Sequence, residues 1–555
     1  MLTVAQAIAK TLAAYGTEKF FCLCGGDHDL WYALEDEGIE IINCRTENAA
    51  VYMADGYARM TGKPAFVYGQ RGPGVANLAG ALADPLWARS PVISLTSSIH
   101  LSSRDRFEYQ DVDGLPLHVG VTKWNKALSS PNRAAAMVRA AIRAALSPAP
   151  GPVHLEIPSD MFHLESGEEI YREEDIDTVN SFRPAPDHGK LTRIIDGLLR
   201  AERPLIVAGK GVVISQAWDE LTRLAEALSI PVATSLGGKG SIDEANDLAM
   251  GVIGRNSRKI GNDAVRECDA VLAIGTRLGG LATHKWSLPF GEKTLFHIDV
   301  DPEVIGRNYK TDISLVSDAR LALAAALEIV RERNLARGQT GWSAQMAEKL
   351  GVWRGHAARY HEIQKVEGIH QAEVIAAVRR ALAPNDVIGA DTGAHGGWVG
   401  ALFPVAAGKT MIRANGSLGW VFPGALGAAL GAPDRRVVAI TGDGGMLYHI
   451  AEFETALRCK IPAVVVVLNN ACLASEYQTQ KRHQRTVNAV LDYRDVDFAA
   501  VARSFGAFGV RVTESKNLDQ AIRDALADGG PALVDVVVSR EAQSPSANRD
   551  KTRLV

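Results

Sequence analysis

Short runs of Val, Ile and Ala, each closed by glycine or a small polar residue and followed by a stretch of helical period, recur along almost the whole chain. This alternation restricts the fold more than any other feature. A strand that is apolar on both faces must be covered on both sides, and parallel strands joined by crossover helices achieve that. A chain of 555 residues is too long for one core, and at ~100–200 residues per domain it predicts about three. The expected fold class is α/β, with three doubly wound parallel-sheet domains.

The first block covers residues 1–165, with strands predicted at 20–23, 39–43, 65–68, 92–96 and 153–156. The stretch 158–186, with SGEEIYREEDID inside it, reads as an acidic surface linker. The second block, 190–331, opens with RPLIVAGKGV and continues through IPVATS, AVLAIGTRL and LFHIDVDP. The third, 368–540, carries DVIGADTG, RRVVAITGDGG, PAVVVVLNN and PALVDVVV, and has the same architecture as the first without a direct sequence repeat.

Charge and cysteine usage exclude several classes. With 60 Lys+Arg against 64 Asp+Glu, the formal charge of −4 gives no basic field for nucleic acid. Six scattered cysteines do not make a disulfide scaffold, and Cys22 and Cys24 lack the partner pair of a zinc site. MLTVAQAIAKTLAAYG reads as an amphipathic helix without a signal-peptide cleavage site, and no apolar run reaches membrane-spanning length. A cytoplasmic protein without membrane partners is the expectation.

The most informative segment is Gly442-Asp443-Gly444-Gly445 followed by Asn469-Asn470. Asp443 ends an apolar strand, at the carboxyl edge where ligands of open α/β sheets bind. The glycines admit a phosphate close to the backbone, and a helix predicted over 449–460 presents its N-terminus to an anion. Carboxylate, amide and backbone oxygens are hard donors suited to magnesium that also holds phosphate oxygens. A lone GDG would be an ordinary glycine turn; the spaced pair is more specific.

GDG followed by NN at this spacing resembles the motif of the thiamine diphosphate-dependent enzymes. The resemblance covers essentially the whole chain and is strongest to the acetolactate synthase, pyruvate oxidase and benzaldehyde lyase branch. It implies a pyrimidine-binding domain, a middle domain and a diphosphate-binding domain, in that order, over the three blocks. It implies thiamine diphosphate and Mg2+ as cofactors, with Asp443, Asn470 and the backbone oxygen of Cys472 as metal ligands. Gly416, in Asn415-Gly416-Ser417-Leu418-Gly419, would accept from the aminopyrimidine, and Leu418 would prop the cofactor in its bent shape. Gly393, Ala394 and His395, in Asp391-Thr392-Gly393-Ala394-His395, would touch the diphosphate together with Gly442, Gly444 and Gly445.

The cofactor needs a carboxyl group that shares a proton with its pyrimidine ring, and burial favours the protonated form of such a group. Glu47, in Cys44-Arg45-Thr46-Glu47-Asn48-Ala49-Ala50, follows an apolar strand, and the run AVYMADGYARMTGKPA after it is similar to the family pattern. By the same resemblance the glutamate block of one subunit covers the diphosphate block of another, so a homodimer or homotetramer with interfacial active sites is implied.

Gln110, in Phe107-Glu108-Tyr109-Gln110-Asp111, matches a glutamine that bonds intermediates in acetolactate synthases and benzaldehyde lyase. His28, in Cys24-Gly25-Gly26-Asp27-His28-Asp29, matches a benzaldehyde lyase histidine and could relay protons. Arg71 departs from the small hydroxyl residue usual in acetolactate synthases; it would meet a substrate anion or pair with an acid such as Asp84. The tryptophan loop of true acetolactate synthases is missing after Asn470.

These features imply a lyase/carboligase of 2-hydroxy ketones or 2-oxo acids working through an enamine-carbanion. A 2-oxo acid decarboxylase, an acetolactate synthase-like enzyme and a 2-hydroxyacyl-CoA lyase are the alternatives. A catalytically silent cofactor-binding subunit and a nicotinamide dehydrogenase are less favoured. In the middle block, GKG near Gly209 and IDVDP near Asp299 echo members that bind FAD or a nucleotide, but a purely structural middle domain is expected. The tail after Val538 reads as a mobile lid or a disordered end.

Overall fold

The computed structural model describes residues 1–483 and 486–545. Three six-stranded sheets, each parallel throughout, carry the fold. The first holds Lys19–Cys22, Glu40–Asn43, Ala65–Gly69, Val92–Ser98, Trp124–Ala127 and Val153–Pro158. The last holds Val387–Ala390, Met411–Arg413, Val437–Gly442, Val464–Asn469, Phe508–Val512 and Ala532–Val537. With strands numbered in chain order, both sheets run 2-1-3-4-6-5. The likeness of blocks one and three is therefore one of topology, exact in strand order. The middle sheet, from Pro204–Ala208 to Ile313–Val316, runs 3-2-1-4-5-6.

Two local expectations need correction. Trp124–Ala127 forms an edge strand that the sequence pattern missed, because only its partner side is covered and its residues are mostly half-buried. The helix after the GDG motif does not wait until residue 449: it begins at Asp443 and ends at His449, and a second short helix, Glu452–Arg458, follows. Gly444 and Gly445 lie inside the first turn, which glycine does not favour, and the site below explains their presence.

The first and last domains are fused through helices Glu47–Thr61 and Val421–Gly431. A Cβ at Gly427 would lie 1.9 Å from the Met53 carbonyl oxygen, and one at Gly56 would lie 2.0 Å from that of Gly424. Only glycine lets the two backbones meet so closely. One apolar cluster consequently runs from Phe21, Val67 and Met53 to Ala425, Val437 and Val465. The middle domain keeps two clusters of its own. The functional residues thus sit on a joint body of the outer domains, with the middle domain attached. Among the described residues no helix is long and apolar enough to cross a membrane.

Candidate functional site

The expected first-domain residues all lie beyond the carboxyl ends of parallel strands. Glu47 opens its helix after strand Glu40–Asn43, and the Thr46 hydroxyl caps that helix by accepting from Ala49 N at 3.1 Å. The Glu47 side chain is nearly buried; Oε2 accepts from Asn77 Nδ2 at 3.0 Å, and Oε1 is 3.1 Å from where a Cβ on Gly74 would stand. Gly72, two residues earlier, packs on Gln110, whose Cβ would be 2.8 Å from a Cβ at that glycine. Gln110 holds φ at 64°, so its loop is sharply turned against Gly72. The loop 72–74 therefore brings Gln110 and Glu47 to the same edge.

His28 starts helix His28–Asp36 and is exposed, while Gly25 and Gly26 just before it pack under the Gln70 amide. Tyr68 ties this loop down by donating to the Asp27 carboxylate. Arg71 does not pair with Asp84: its Nη1 donates to Ser159 Oγ at 3.1 Å and its Nε is buried without a protein partner. Asp84 is already engaged by Arg59 at 3.3 Å and by the third domain.

In the third domain the two motif halves converge. Asp443 Oδ1 accepts from Gly444 N at 2.7 Å, and Oδ2 accepts from both Asn470 N and Cys472 N at 3.1 Å. Burial raises the Asp443 pKa, against the lowering effect of these amides. Asn469 is committed elsewhere, to Asp535 and the Val496 carbonyl, both at 3.0 Å, so Asn470 is the asparagine left for a ligand. The Cys472 thiol is pushed up to about 12 by burial and stays protonated, so its oxygen rather than its sulfur suits a hard cation. Among the described residues no group of three His, Cys, Asp or Glu side chains could hold a metal; a cation here would rest on one carboxylate and neutral oxygens. That donor set fits a magnesium ion carrying phosphate oxygens.

The glycines make room for this arrangement. A Cβ at Gly445 would fall 2.3 Å from Asp391 Oδ2, and one at Gly442 would fall 2.6 Å from His395 Nε2. His395, in the first turn of helix Ala394–Leu402, therefore stands directly against the GDG turn. Desolvation lowers its pKa to about 4, and the one N–H of the neutral ring is taken up at Nδ1 by the Thr392 carbonyl at 3.3 Å. Gly393 before it has φ at 121°, a conformation for glycine. Gly416 is an exposed loop tip at φ 150°, and Leu418 is partly exposed rather than core, as a prop for a ligand has to be.

Sequence reasoning missed four supporting residues. Asp391, raised to about 7 by burial, accepts from Thr441 Oγ1 at 2.6 Å and from Gly419 N at 3.1 Å, joining three loops. Arg540 donates to the carbonyls of Asn470 at 2.7 Å and Ala471 at 2.8 Å, orienting the metal loop. The tail expectation is thereby corrected for residues 539–545, which begin as an anchor; 546–555 lie outside the described residues. Asp84 and Glu452 bridge the outer domains. Of the four, only Asp391 stood in a quoted motif.

The middle domain carries a cleft of about 420 Å3 at the switch point between strands Pro204–Ala208 and Ala270–Ile274. Lys210 and Arg277 line it together with Arg89 of the first domain, Arg413 of the third and Asp299, whose pKa burial raises to about 6.

Paired outer domains of one topology around a Rossmann-like middle, with a GDG–NN oxygen cluster, define the scaffold of a thiamine cofactor enzyme. Comparison with known proteins agrees along the chain. Residues 2–117 match the thiamine pyrophosphate enzyme N-terminal TPP binding domain, 191–326 the central domain and 391–536 the C-terminal TPP binding domain. The chain is 32% identical to the probable acetolactate synthase large subunit of Methanocaldococcus jannaschii, across 96% of its own length and 91% of that protein. It is 31% identical to the acetolactate synthase large subunit of Parasynechococcus marenigrum (97% and 87% covered) and 28% identical to the isozyme 2 large subunit of Escherichia coli (96% and 95% covered). The chain belongs to the thiamine pyrophosphate enzyme family, on its acetolactate synthase branch. It is a thiamine diphosphate-dependent enzyme of the carboligase or decarboxylase type.

Proposed function

We propose that the protein is a Mg2+-assisted C–C bond lyase/carboligase acting on 2-hydroxy ketones or 2-oxo acids, with its active sites between the subunits of a homodimer or homotetramer. The observation that carries this reading is the meeting of the Asp443 carboxylate with the main chain of Asn470 and Cys472. Asp443, the Asn470 side chain and the Cys472 carbonyl hold the cation. Gly442, Gly444, Gly445, Gly393, Ala394 and His395 would surround the diphosphate oxygens; the neutral His395 ring would donate to them only in the tautomer that gives up its bond to the Thr392 carbonyl. The Gly416 carbonyl would accept from the aminopyrimidine, and Leu418 would support the cofactor from beneath.

The bound cofactor supplies an electron sink for the charge left on a carbonyl carbon when its C–C bond breaks. Glu47 would share a proton with the pyrimidine ring nitrogen; its carboxyl accepts from Asn77 and forms no ion pair among the described residues, which suits that role. Gln110 donates to the substrate oxygen, and His28 moves a proton during addition and release.

A second reading, acetolactate synthesis, is favoured by the names of the relatives. The apo-protein assayed on pyruvate, benzoylformate and benzoin, with and without thiamine diphosphate and Mg2+, separates the two. Cofactor-dependent benzoin cleavage without carbon dioxide supports the lyase. Acetolactate formation from pyruvate selects the second reading, and carbon dioxide with aldehyde alone selects a decarboxylase.

The middle cleft supports a further cofactor reading, FAD or another nucleotide, through its cationic lining at a switch point. Absorbance and nucleotide content of the supernatant after denaturing freshly purified protein decide it.

A further inference from the structure

Gly416, the expected partner of the aminopyrimidine, stands at an open loop tip: among the described residues, its chain neighbours aside, nothing lies within 4 Å of where its Cβ would be. Asp391 of the same domain holds the loop's end at Gly419 N, while the residues on either side of Gly416 are held by a carboxylate of the other outer domain. Asp84, 2% exposed, accepts from Asn415 N at 2.9 and 3.0 Å, from Asn415 Nδ2 at 3.1 Å and from Ser417 N at 3.1 Å. Arg59 balances its charge at 3.3 Å, and Arg59 is itself fixed by Asp55 and by stacking 4.2 Å over Trp420.

The converse bond runs from the third domain to the first. Glu452, 1% exposed, accepts from Arg45 N at 3.0 and 3.3 Å, from the Thr46 main chain and from Thr455 Oγ1 at 2.7 Å. Arg45 and Thr46 immediately precede Glu47, and the Arg45 guanidinium turns away to Glu454 at 3.1 Å. Glu452 is answered by N–H and O–H donors rather than by that cation.

We propose that Asp84 and Glu452 are a reciprocal pair of positioning residues, each a buried carboxylate of one outer domain that fixes the main chain of the other domain's cofactor loop. Charge-assisted bonds to main-chain N–H groups are the stronger kind, and a carboxylate offers about four acceptor sites where an amide of equal size offers about two. Asp84 thereby sets where the Gly416 carbonyl stands, and Glu452 sets where the Glu47 helix begins. Neither touches the cofactor in this assignment, which rests on the proposed roles of Gly416 and Glu47.

The test uses the full-length holoenzyme and three substitutions, D84N, E452Q and Asn415→Ala. Calorimetry gives the thiamine diphosphate dissociation constant at saturating Mg2+. Near-ultraviolet circular dichroism follows the amino and imino forms of the bound pyrimidine against pH. D84N should weaken cofactor binding ~10-fold, the scale of one charge-assisted bond lost, and should diminish the pyrimidine band. Asn415→Ala, which removes one side-chain donor and leaves the carboxylate seated, should move both readouts the same way by a smaller factor. E452Q should bind cofactor within ~3-fold of the unsubstituted protein, well under the 1.4 kcal/mol that a tenfold change represents. It should nevertheless displace the pH midpoint of the amino–imino change, which a merely structural role would leave alone. Folded D84N and Asn415→Ala proteins with unchanged affinity and band, or E452Q with an unchanged midpoint, overturn the assignment. If the unsubstituted protein binds no cofactor, the site reading itself falls and takes the clamp with it.

Discussion

Asp443 Oδ2 receives the main-chain N–H of Asn470 at 3.1 Å, so the end of one strand is locked to the end of its neighbour before any ligand arrives. The same oxygen takes the N–H of Cys472, and Arg540 turns the intervening carbonyls of Asn470 and Ala471 aside. The oxygen cluster is preorganised by main-chain geometry, so binding a cation does not have to include the cost of folding this loop.

Glu47→Gln keeps the side-chain shape beside Asn77 and Gly74 but loses the exchangeable carboxyl proton. Thiamine diphosphate and Mg2+ should bind as before, and kcat should fall at least ~100-fold, the lower end of general acid–base contributions. Calorimetry and steady-state kinetics on one preparation check both halves; near-normal turnover removes Glu47 from the mechanism.

His28→Ala removes an exposed side chain at the start of its helix, so stability should change by less than ~0.5 kcal/mol. If the imidazole moves a proton, kcat should drop ~10-fold or more with cofactor affinity unchanged. Equal rates would make His28 a plain surface residue. If the Gln110 amide meets the substrate oxygen, Gln110→Ala should raise KM as well as lower kcat.

His449 is buried, with Nδ1 unpartnered among the described residues and the Tyr52 ring edge-on at 5.6 Å, and burial lowers its pKa to about 4. The unfolded chain binds this proton near pH 6.5 and the folded chain only near 4, so folding excludes the proton in between. The neutral ring's stabilising share is complete above pH ~6.5 and is lost as pH falls toward ~4. His449→Gln should therefore lose less stability than the unsubstituted protein over that window, by up to ~3 kcal/mol. Urea unfolding at pH 7 and pH 5 measures the difference; parallel pH dependences would contradict it.

Gly427→Val would drive methyl groups into the Met53 carbonyl, where even a Cβ has 1.9 Å of space. Overpacking of this kind costs ~1–3 kcal/mol, and more where backbone opposes backbone. A lower thermal midpoint with early loss of cofactor binding is expected, because this contact joins the two domains that carry the site. An unchanged midpoint would mean the helices are free to separate.

The sequence made the α/β class, the three sheets and the cofactor motifs legible, because buried parallel strands leave apolar runs and glycine turns at fixed spacings. Asp443 stood out for that reason, while Glu47 and His395 were marked by the family resemblance. Asp84, Glu452 and Arg540 did not: each acts on a main chain far away in sequence, and no local pattern marks such a residue. Arg71 showed the opposite error. A pairing with Asp84 is reasonable from residue type, yet only the fold reveals that Arg59, Asn415 and Ser417 already occupy that carboxylate. The likeness of the outer blocks was legible, but not that their strand orders are identical, which only the fold reveals.

The most direct test of the central claim is calorimetric titration of metal-free, cofactor-free protein and of Asp443→Ala with thiamine diphosphate, each with and without Mg2+. The account predicts saturable, Mg2+-dependent binding to the unsubstituted protein and none detectable to Asp443→Ala, which loses the only charged ligand of the cluster. Equal binding by both proteins, or binding indifferent to Mg2+, would contradict the placement of the cofactor at Asp443 and Asn470.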